Sequence, residues 1–174
     1  KSTTKQFLLL QGKPVIYHTI AKFTAAFSDI HLVIGVPEIY FTEMETIMQQ
    51  YFSEQSYQMA ARGSTRFHTV KNGLACMQSE NAVVFVHDAA RCLISVALIR
   101  ECYQQTISNR NAVPCITPTD SLRICTDQGS MVMDRERIRC MQTPQTFYVK
   151  DLQNAFQQPY HNSFTDEATV VEKS

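Results

Sequence analysis

The stretch that decides the fold is Val83-Val84-Phe85-Val86-His87-Asp88-Ala89-Ala90-Arg91. Its opening run of apolar, mostly β-branched residues predicts a short buried strand rather than a helix. A carboxylate at Asp88 and a guanidinium at Arg91 follow directly. Ligands of open α/β sheets bind beyond the carboxyl ends of the strands, which makes both side chains candidates for a site. An equally open alternative is that the two charges cap a strand–helix turn and pair with each other.

Strands and helices alternate on both sides of this stretch. A buried strand is predicted at residues 30–36, and further strands at 57–61 and 111–116. Helical patterns of apolar residues follow Pro14 and the strands. Strands that alternate with helices of about 10 to 15 residues indicate a mainly parallel sheet with helices on both faces. We therefore predict a single doubly wound α/β domain over residues 1–174.

The pattern changes after residue 117. Residues 121–125 and 131–133 read as two strands joined by a turn at Asp127-Gln128-Gly129. No crossover helix separates them, so this pair is expected to be antiparallel and to project from the sheet as an arm over residues 119–140. Helices at about 150–157 and from Thr165, where the first turn is acidic, are expected to close the chain.

The composition excludes several classes of protein. Sixteen basic residues balance sixteen acidic ones among 174, so no overall field favours nucleic acid or an anionic membrane. No apolar run approaches the roughly 20 residues that span a bilayer, and no secretory signal is present. The six cysteines are widely spaced without a CxxC pair, which gives no metal-site signature and favours reduced thiols. We expect a cytoplasmic protein without nucleic-acid or membrane partners.

A second candidate site follows the strand at residues 57–61. Arg62-Gly63-Ser64-Thr65-Arg66 opens a predicted helix, and free N–H groups and the helix dipole favour anions there. On this stretch alone, an ordinary capped helix start with exposed arginines is the favoured interpretation.

Several further motifs are spread along the chain in a fixed order. They are Lys5-Gln6-Phe7-Leu8 with Gly12-Lys13-Pro14, the stretch from Gly63 to Leu74, His87 to Arg91, Asp120-Ser121, Asp134-Arg135, Gln142 to Phe147, and Thr165-Asp166-Glu167-Ala168. Together they resemble the 2-C-methyl-D-erythritol 4-phosphate cytidylyltransferases of the non-mevalonate isoprenoid pathway. Each motif is weak alone, but their order makes the resemblance specific. It implies a Rossmann-like nucleotidyltransferase fold and a homodimer whose arms clasp one another.

The resemblance also implies a reaction and a set of site residues. CMP would pass from CTP to 2-C-methyl-D-erythritol 4-phosphate with release of pyrophosphate, and Mg²⁺ would be bound mainly through the CTP phosphates. Such chemistry depends on positioning and charge neutralisation. The implied residues are Lys5 as the catalytic cation, Gly63, Arg66, Thr69 and Asp88 for the nucleotide, and Arg91, Ser121, Arg135, Thr143 and Thr165 for the sugar-alcohol phosphate. Ser121 and Arg135 are expected to act in the neighbouring subunit's site.

The chain also departs from the family pattern. Cys92 stands where the family has proline, and Ser121 replaces a threonine. The family's glycine-rich loop and a lysine-bearing NIKVT-like segment have no counterpart, so we expect a longer protein, of which these residues alone are nearly inactive. Two other functions stay open: a ribitol-5-phosphate cytidylyltransferase, and a non-catalytic nucleotide-binding or dimerisation module.

Overall fold

The computed structural model describes residues 4–174. The helices are α1 (Val15–Ala26), α2 (Phe41–Tyr51), α3 (Arg66–Ala75), α4 (Val96–Asn109), α5 (Val149–Ala155) and α6 (Glu167–Glu172). The strands are β1 (Leu9–Leu10), β2 (Lys13–Pro14), β3 (Leu32–Val36), β4 (Tyr57–Ala61), β5 (Val83–Val86), β6 (Asn111–Ala112), β7 (Cys115–Ile116), β8 (Leu122–Thr126), β9 (Gly129–Met133), β10 (Cys140–Met141) and β11 (Gln145–Tyr148). Short 3-10 helices lie at Lys5–Phe7, Glu38–Tyr40 and Arg135–Arg137. The chain therefore has an α/β fold.

The side chains of β3 alternate between two layers of helices. Ile34 and Val36 are buried in an apolar cluster with residues of α1 and α2. Gly35 lies against α3, since a Cβ at this position would be 3.0 Å from Cγ2 of Thr69. Because successive side chains of a strand point to opposite faces, this pattern covers β3 with helices on both sides.

Helices also cover both faces of β5. Val84 and Val86 pack into a cluster with residues of α3, α5 and α6. Phe85 faces the other way, and its ring centroid lies 5.8 Å from that of Phe23 in α1 and 5.9 Å from that of Phe27. The predicted burial of this strand is confirmed in part: helices cover both faces, Val84 is buried, and the other three residues are half-buried.

The prediction of a single, mainly parallel sheet is not confirmed. Among residues 4–174, β3 and β4 form the only parallel pair, while β11 runs antiparallel between β5 and β6. No crossover helix precedes β11, so the chain returns along β5 in the opposite direction. Pro114, which has no N–H to donate, separates β6 from β7, and β7 pairs with β10 instead of β11.

Strands β8 and β9 pair antiparallel, from Leu122 opposite Met133 to Thr126 opposite Gly129. Gly129 has a φ of +131°, a conformation that suits glycine at the end of this tight turn. Most of the pair is exposed to solvent. The segment therefore contributes little to the core of the single chain.

Within residues 4–174, no helix combines the length and apolar character that crossing a bilayer would require. The six cysteines in this part of the chain are all free thiols. Apolar clusters and hydrogen bonds therefore stabilise the structure, without disulfide cross-links among the described residues.

Candidate active site

A cleft of about 290 Å³ opens beyond the carboxyl end of β5. Four parts of the chain form it: the start of α3, the turn after β5, the segment before β11 and the segment before α6. Its lining residues are Arg66, Asp88, Arg91, Met141, Gln142, Thr143, Gln145, Thr165 and Asp166. The site therefore lies where open α/β sheets bind ligands.

The pairing of β5 with β11 explains why the two central segments meet. Val86 lies opposite Gln145 in the antiparallel ladder, so the residues two positions beyond each strand end also face one another. Accordingly, the backbone N–H of Asp88 donates to Oγ1 of Thr143 at 3.4 Å.

The turn after β5 is held in shape by its own hydrogen bonds and by α1. The N–H of Arg91 donates to the carbonyl of Asp88 at 2.9 Å, and Nε2 of His87 lies 3.1 Å from the carbonyl oxygen of Arg91. From α1, the hydroxyl of Thr19 donates to the carbonyl of Ala89 at 2.7 Å. Burial lowers the pKa of His87, which favours a neutral ring at this position.

Asp88 is the centre of a chain of charges in the cleft. Its Oδ1 accepts a hydrogen bond from Nη1 of Arg66, and its Oδ2 accepts one from Nε of Arg91 at 2.8 Å. Nη1 of Arg91 then donates to Oε1 of Gln142. Asp88 and Arg91 therefore do pair with each other, and the same pair lines a cleft. The two interpretations of this stretch are compatible.

Arg66 is held from its other side by Glu167, a residue to which the sequence assigned no role. Nε of Arg66 donates to Oε1 at 3.0 Å and Nη2 donates to Oε2 at 2.9 Å. The Glu167 side chain is only 2% exposed. An acidic residue in the first turn of α6 was visible in the sequence, but its partner lies 101 positions away and no local pattern identifies it.

The ion pairs shift the pKa values of both groups toward their charged forms. Burial alone would lower the pKa of Arg66, but the hydrogen bonds and charges of Glu167 and Asp88 outweigh it and raise that pKa. Burial alone would raise the pKa of Asp88, but Arg66 and Arg91 outweigh it and hold that pKa below its ordinary value. Both groups are therefore charged at neutral pH.

Gln145 and Asp166 fix the opposite wall of the cleft, and the sequence assigned no site role to either of them. Nε2 of the buried Gln145 donates to Oδ2 of Asp166 at 3.0 Å, and its Oε1 accepts from the N–H of Ala168 at 2.9 Å. Asp166 also caps α6 by accepting from the N–H of Thr169. Burial tends to raise the pKa of Asp166, but the hydrogen bonds from Thr169 and Gln145 lower it overall.

Gly63 and Thr69 shape the turn that presents Arg66. The N–H of Gly63 donates to Oγ1 of Thr69 at 3.0 Å, and that hydroxyl donates to the carbonyl of Thr65. A Cβ at Gly63 would lie only 2.4 Å from Cβ of His68, so the turn has no room for a side chain there. Neither residue is among those that line the cleft, and their contact with a nucleotide stays a prediction.

Three other predicted site residues do not line the cleft of the single chain: Lys5, Ser121 and Arg135. Lys5 is exposed in the first 3-10 helix, which Phe7 anchors in the apolar cluster that also contacts Ala89. Ser121 is exposed directly before β8. Arg135 donates from Nη1 to the carbonyl of Thr119 at 2.7 Å. The roles of all three stay predictions.

The donor groups of the cleft do not fit a resident metal ion. Among residues 4–174, no three His, Cys, Asp or Glu side chains group as metal ligands. Asp88 directs its oxygens to two arginines, and Asp166 directs its oxygens to hydrogen-bond donors. A divalent cation that enters bound to a triphosphate needs no dedicated protein cage.

Comparison with known proteins settles the family. The model of the 2-C-methyl-D-erythritol 4-phosphate cytidylyltransferase family, IspD, matches residues 1–174. The chain belongs to this family. As a member of the IspD family it is 38% identical to the enzyme of that name from Phocaeicola vulgatus, over 97% of this chain and 76% of the relative. It is 37% identical to the Porphyromonas gingivalis enzyme, over 97% of this chain and 74% of the relative.

Solved structures of the IspD family agree with this assignment. The crystal structure of the Francisella tularensis enzyme superposes with a TM-score of 0.81 at 26% identity, over 98% of this chain and 80% of that structure. The predicted family and main function are therefore confirmed: the chain is a nucleotidyltransferase that transfers CMP from CTP to 2-C-methyl-D-erythritol 4-phosphate. These relatives give no support to the ribitol-phosphate or non-catalytic alternatives.

Proposed function

We propose that the cleft beyond β5 is where IspD-family cytidylyl transfer takes place in this chain, with both reacting phosphates held there. One observation carries the proposal. Residues that the resemblance assigned to nucleotide and sugar-phosphate binding come from four separate stretches and line a single cleft: Arg66, Asp88, Arg91, Thr143 and Thr165.

The reaction explains why the cleft contains arginines. A phosphate oxygen of methylerythritol phosphate attacks the α-phosphorus of CTP, and the bond from this phosphorus to the oxygen bridging to the β-phosphate breaks. Pyrophosphate leaves with the electron pair of that bond. Because an anion attacks an anion, the protein accelerates this step by positioning both groups and neutralising their charge, without a strong general base.

Arg91 can contact a phosphate without giving up its place in the cleft. A guanidinium has five N–H donors, and the two contacts of Arg91 to Asp88 and Gln142 use one at Nε and one at Nη1. The remaining donors suit the oxygens of a phosphate. Lys5 is proposed as the cation at the α-phosphate, and Gly63, Arg66, Thr69 and Asp88 as the residues that hold the nucleotide.

Mg²⁺ is proposed to enter with CTP, bound mainly through its phosphates. When bound, the ion neutralises part of the triphosphate charge. The residues of this chain then position the reacting groups: Arg91, Thr143 and Thr165 hold the sugar-alcohol phosphate beside the nucleotide.

A second copy of the chain is proposed to complete the site through the β8–β9 arm. Met131 is 60% exposed and Val132 is 74% exposed, on opposite faces of β9. Exposed apolar side chains on both faces of the arm suit burial against another protein that clasps it. Ser121 and Arg135 flank the paired strands within the arm and would then reach the neighbouring subunit's cleft. A cytoplasmic location is proposed as well, in keeping with the free cysteines.

Thr165→Val tests the proposed site while preserving side-chain shape. Thr165 is exposed and lines the cleft, and a hydrogen bond to a charged group contributes roughly 1.5–3 kcal/mol. We expect the KM for methylerythritol phosphate to rise about tenfold or more, with the KM for CTP changed less than about twofold. Thr42→Val, on the exposed face of α2, is the control. Equal effects on the two substrates would contradict the assignment of Thr165.

A further inference from the structure

A buried carboxylate lies behind the cleft without lining it. Glu167 is the first residue of α6, and its side chain is 2% exposed. An ionised carboxylate is costly to bury unless charge and hydrogen bonds compensate it. Arg66 supplies both the opposite charge and the hydrogen bonds to Glu167, and the Arg66 side chain also lines the cleft.

The contact determines the plane of the Arg66 guanidinium. Two parallel hydrogen bonds, from Nε at 3.0 Å and from Nη2 at 2.9 Å, join it to the two oxygens of Glu167. A two-bond arginine–carboxylate contact fixes orientation as well as distance. The remaining edge of the group carries Nη1, which donates to Asp88.

Asp88 couples the orientation of the Arg66 guanidinium to the position of Arg91. One of its oxygens accepts from Arg66 and the other from Arg91, so a rotation of the Arg66 guanidinium changes what Asp88 can offer to Arg91. Arg91 in turn contacts Gln142 on the opposite wall. The cleft residues on three segments are thus aligned by one buried group.

We infer that Glu167 is a positioning residue for cytidylyl transfer, acting through Arg66 to set the geometry of Asp88 and Arg91. This inference rests on the proposed function of the cleft. Glu167 does not touch the substrates: its oxygens are occupied by Arg66 and it lies outside the cleft lining.

The charges around the cleft distinguish a positioning role from simple electrostatic attraction of the substrate. The negative charges of Glu167 and Asp88 neutralise the positive charges of Arg66 and Arg91. Glu167→Gln leaves a positive excess beside the cleft, which attracts anionic substrates at least as well as before. Loss of positioning should therefore lower kcat, whereas loss of attraction would raise KM.

The kinetic test uses Glu167→Gln, with Glu172→Gln on the exposed face of the same helix as the matched control. We expect Glu167→Gln to lower kcat at least about tenfold, because misplaced reacting groups cost that much or more, while the KM for CTP changes less than about threefold. Arg66→Lys cannot make the two-bond contact, so adding Glu167→Gln to it should cause no further loss of kcat. If kcat of the double variant fell by the product of the two single-variant losses, the two residues would act independently and the inference would be overturned.

A second readout does not depend on turnover. In NMR spectra of protein labelled with ¹⁵N-arginine, the Nε–H signal of Arg66 is assigned as the one that disappears in Arg66→Lys. The hydrogen of this group should exchange slowly with water in the unsubstituted protein and in Glu172→Gln. It should exchange quickly in Glu167→Gln. Equal protection in Glu167→Gln would overturn the inference. A protected signal in an unsubstituted protein that lacks cytidylyl transfer would instead contradict the proposed function.

Folding is checked first by circular dichroism. If Glu167→Gln does not fold at 25 °C, Glu167→Asp takes its place in both tests, since it keeps the charge but shortens the reach. If neither variant folds, Glu167 acts only in stability and the inference is overturned.

Discussion

At the scale of single residues, Asp88 connects the other charged and polar groups of the site. Its two oxygens join Arg66 and Arg91, and its backbone N–H contacts Thr143 across from β11. The sequence showed the carboxylate and one nearby guanidinium, and could not choose between a turn cap and a substrate site. The structure shows that one arrangement serves as both, because the paired charges lie in the wall of a cleft.

The lowered pKa of Asp88 predicts how stability depends on pH. Because its pKa is lower in the folded protein, the ionised carboxylate stabilises folding fully above the unfolded value of about 3.9. That contribution is lost as the pH falls below this value toward the folded-state pKa. We expect Asp88→Asn to reduce the free energy of unfolding at pH 7 by about 1–2 kcal/mol, between typical values for exposed and buried pairs, and to weaken its decline in acid. Urea unfolding from pH 7 to pH 3 measures both effects.

Asp151→Asn is the matched control for this prediction. The Asp151 side chain is 31% exposed, as is that of Asp88, but it meets one arginine, Arg110, whose own side chain is 71% exposed. The loss of stability at pH 7 should therefore be smaller. Identical stability at every pH for Asp88→Asn and the unsubstituted protein would contradict the assigned charge network.

At the scale of elements, the sequence predicted most of the pieces and missed how some of them pair. β4 and β5 have their predicted bounds, and α1 begins directly after Pro14. Hydrophobic periodicity shows which residues are buried, and this information is local. The partner of β11 depends on contacts with β5 and β6 far along the chain, so the antiparallel centre could not be found from local pattern.

The arm provides a test at this scale. A charge would abolish the proposed burial of Val132 against a second copy, so we expect Val132→Asp to convert the proposed dimer to a monomer in analytical ultracentrifugation. Activity should fall with the dimer, because Ser121 and Arg135 are proposed to act in the neighbouring subunit's cleft. Ile39→Asp, which changes a residue 79% exposed away from the arm, is the control. An active, unchanged dimer of Val132→Asp would contradict the role of the arm.

At the scale of the whole molecule, the fold brings together residues that the sequence could only place in order. Arg66, Asp88 and Thr143 come from separate motifs, and the packing of α3, β5 and β11 places them in one cleft. Family resemblance supplied their candidate roles in advance. It assigned no role to Glu167 or Gln145, although both lie within its motifs, and their contacts with Arg66 and Asp166 join segments that are distant in the chain.

The measurement that tests the central claim most directly is pyrophosphate release by the protein expressed from its complete coding region. A coupled assay should compare CTP with other nucleoside triphosphates, and methylerythritol phosphate with ribitol 5-phosphate. We predict turnover that requires CTP and methylerythritol phosphate together, with the other pairs at least about tenfold slower, as expected where a site's hydrogen-bonding groups are left unpaired. Turnover only with ribitol 5-phosphate, or none with methylerythritol phosphate, would contradict the assigned reaction.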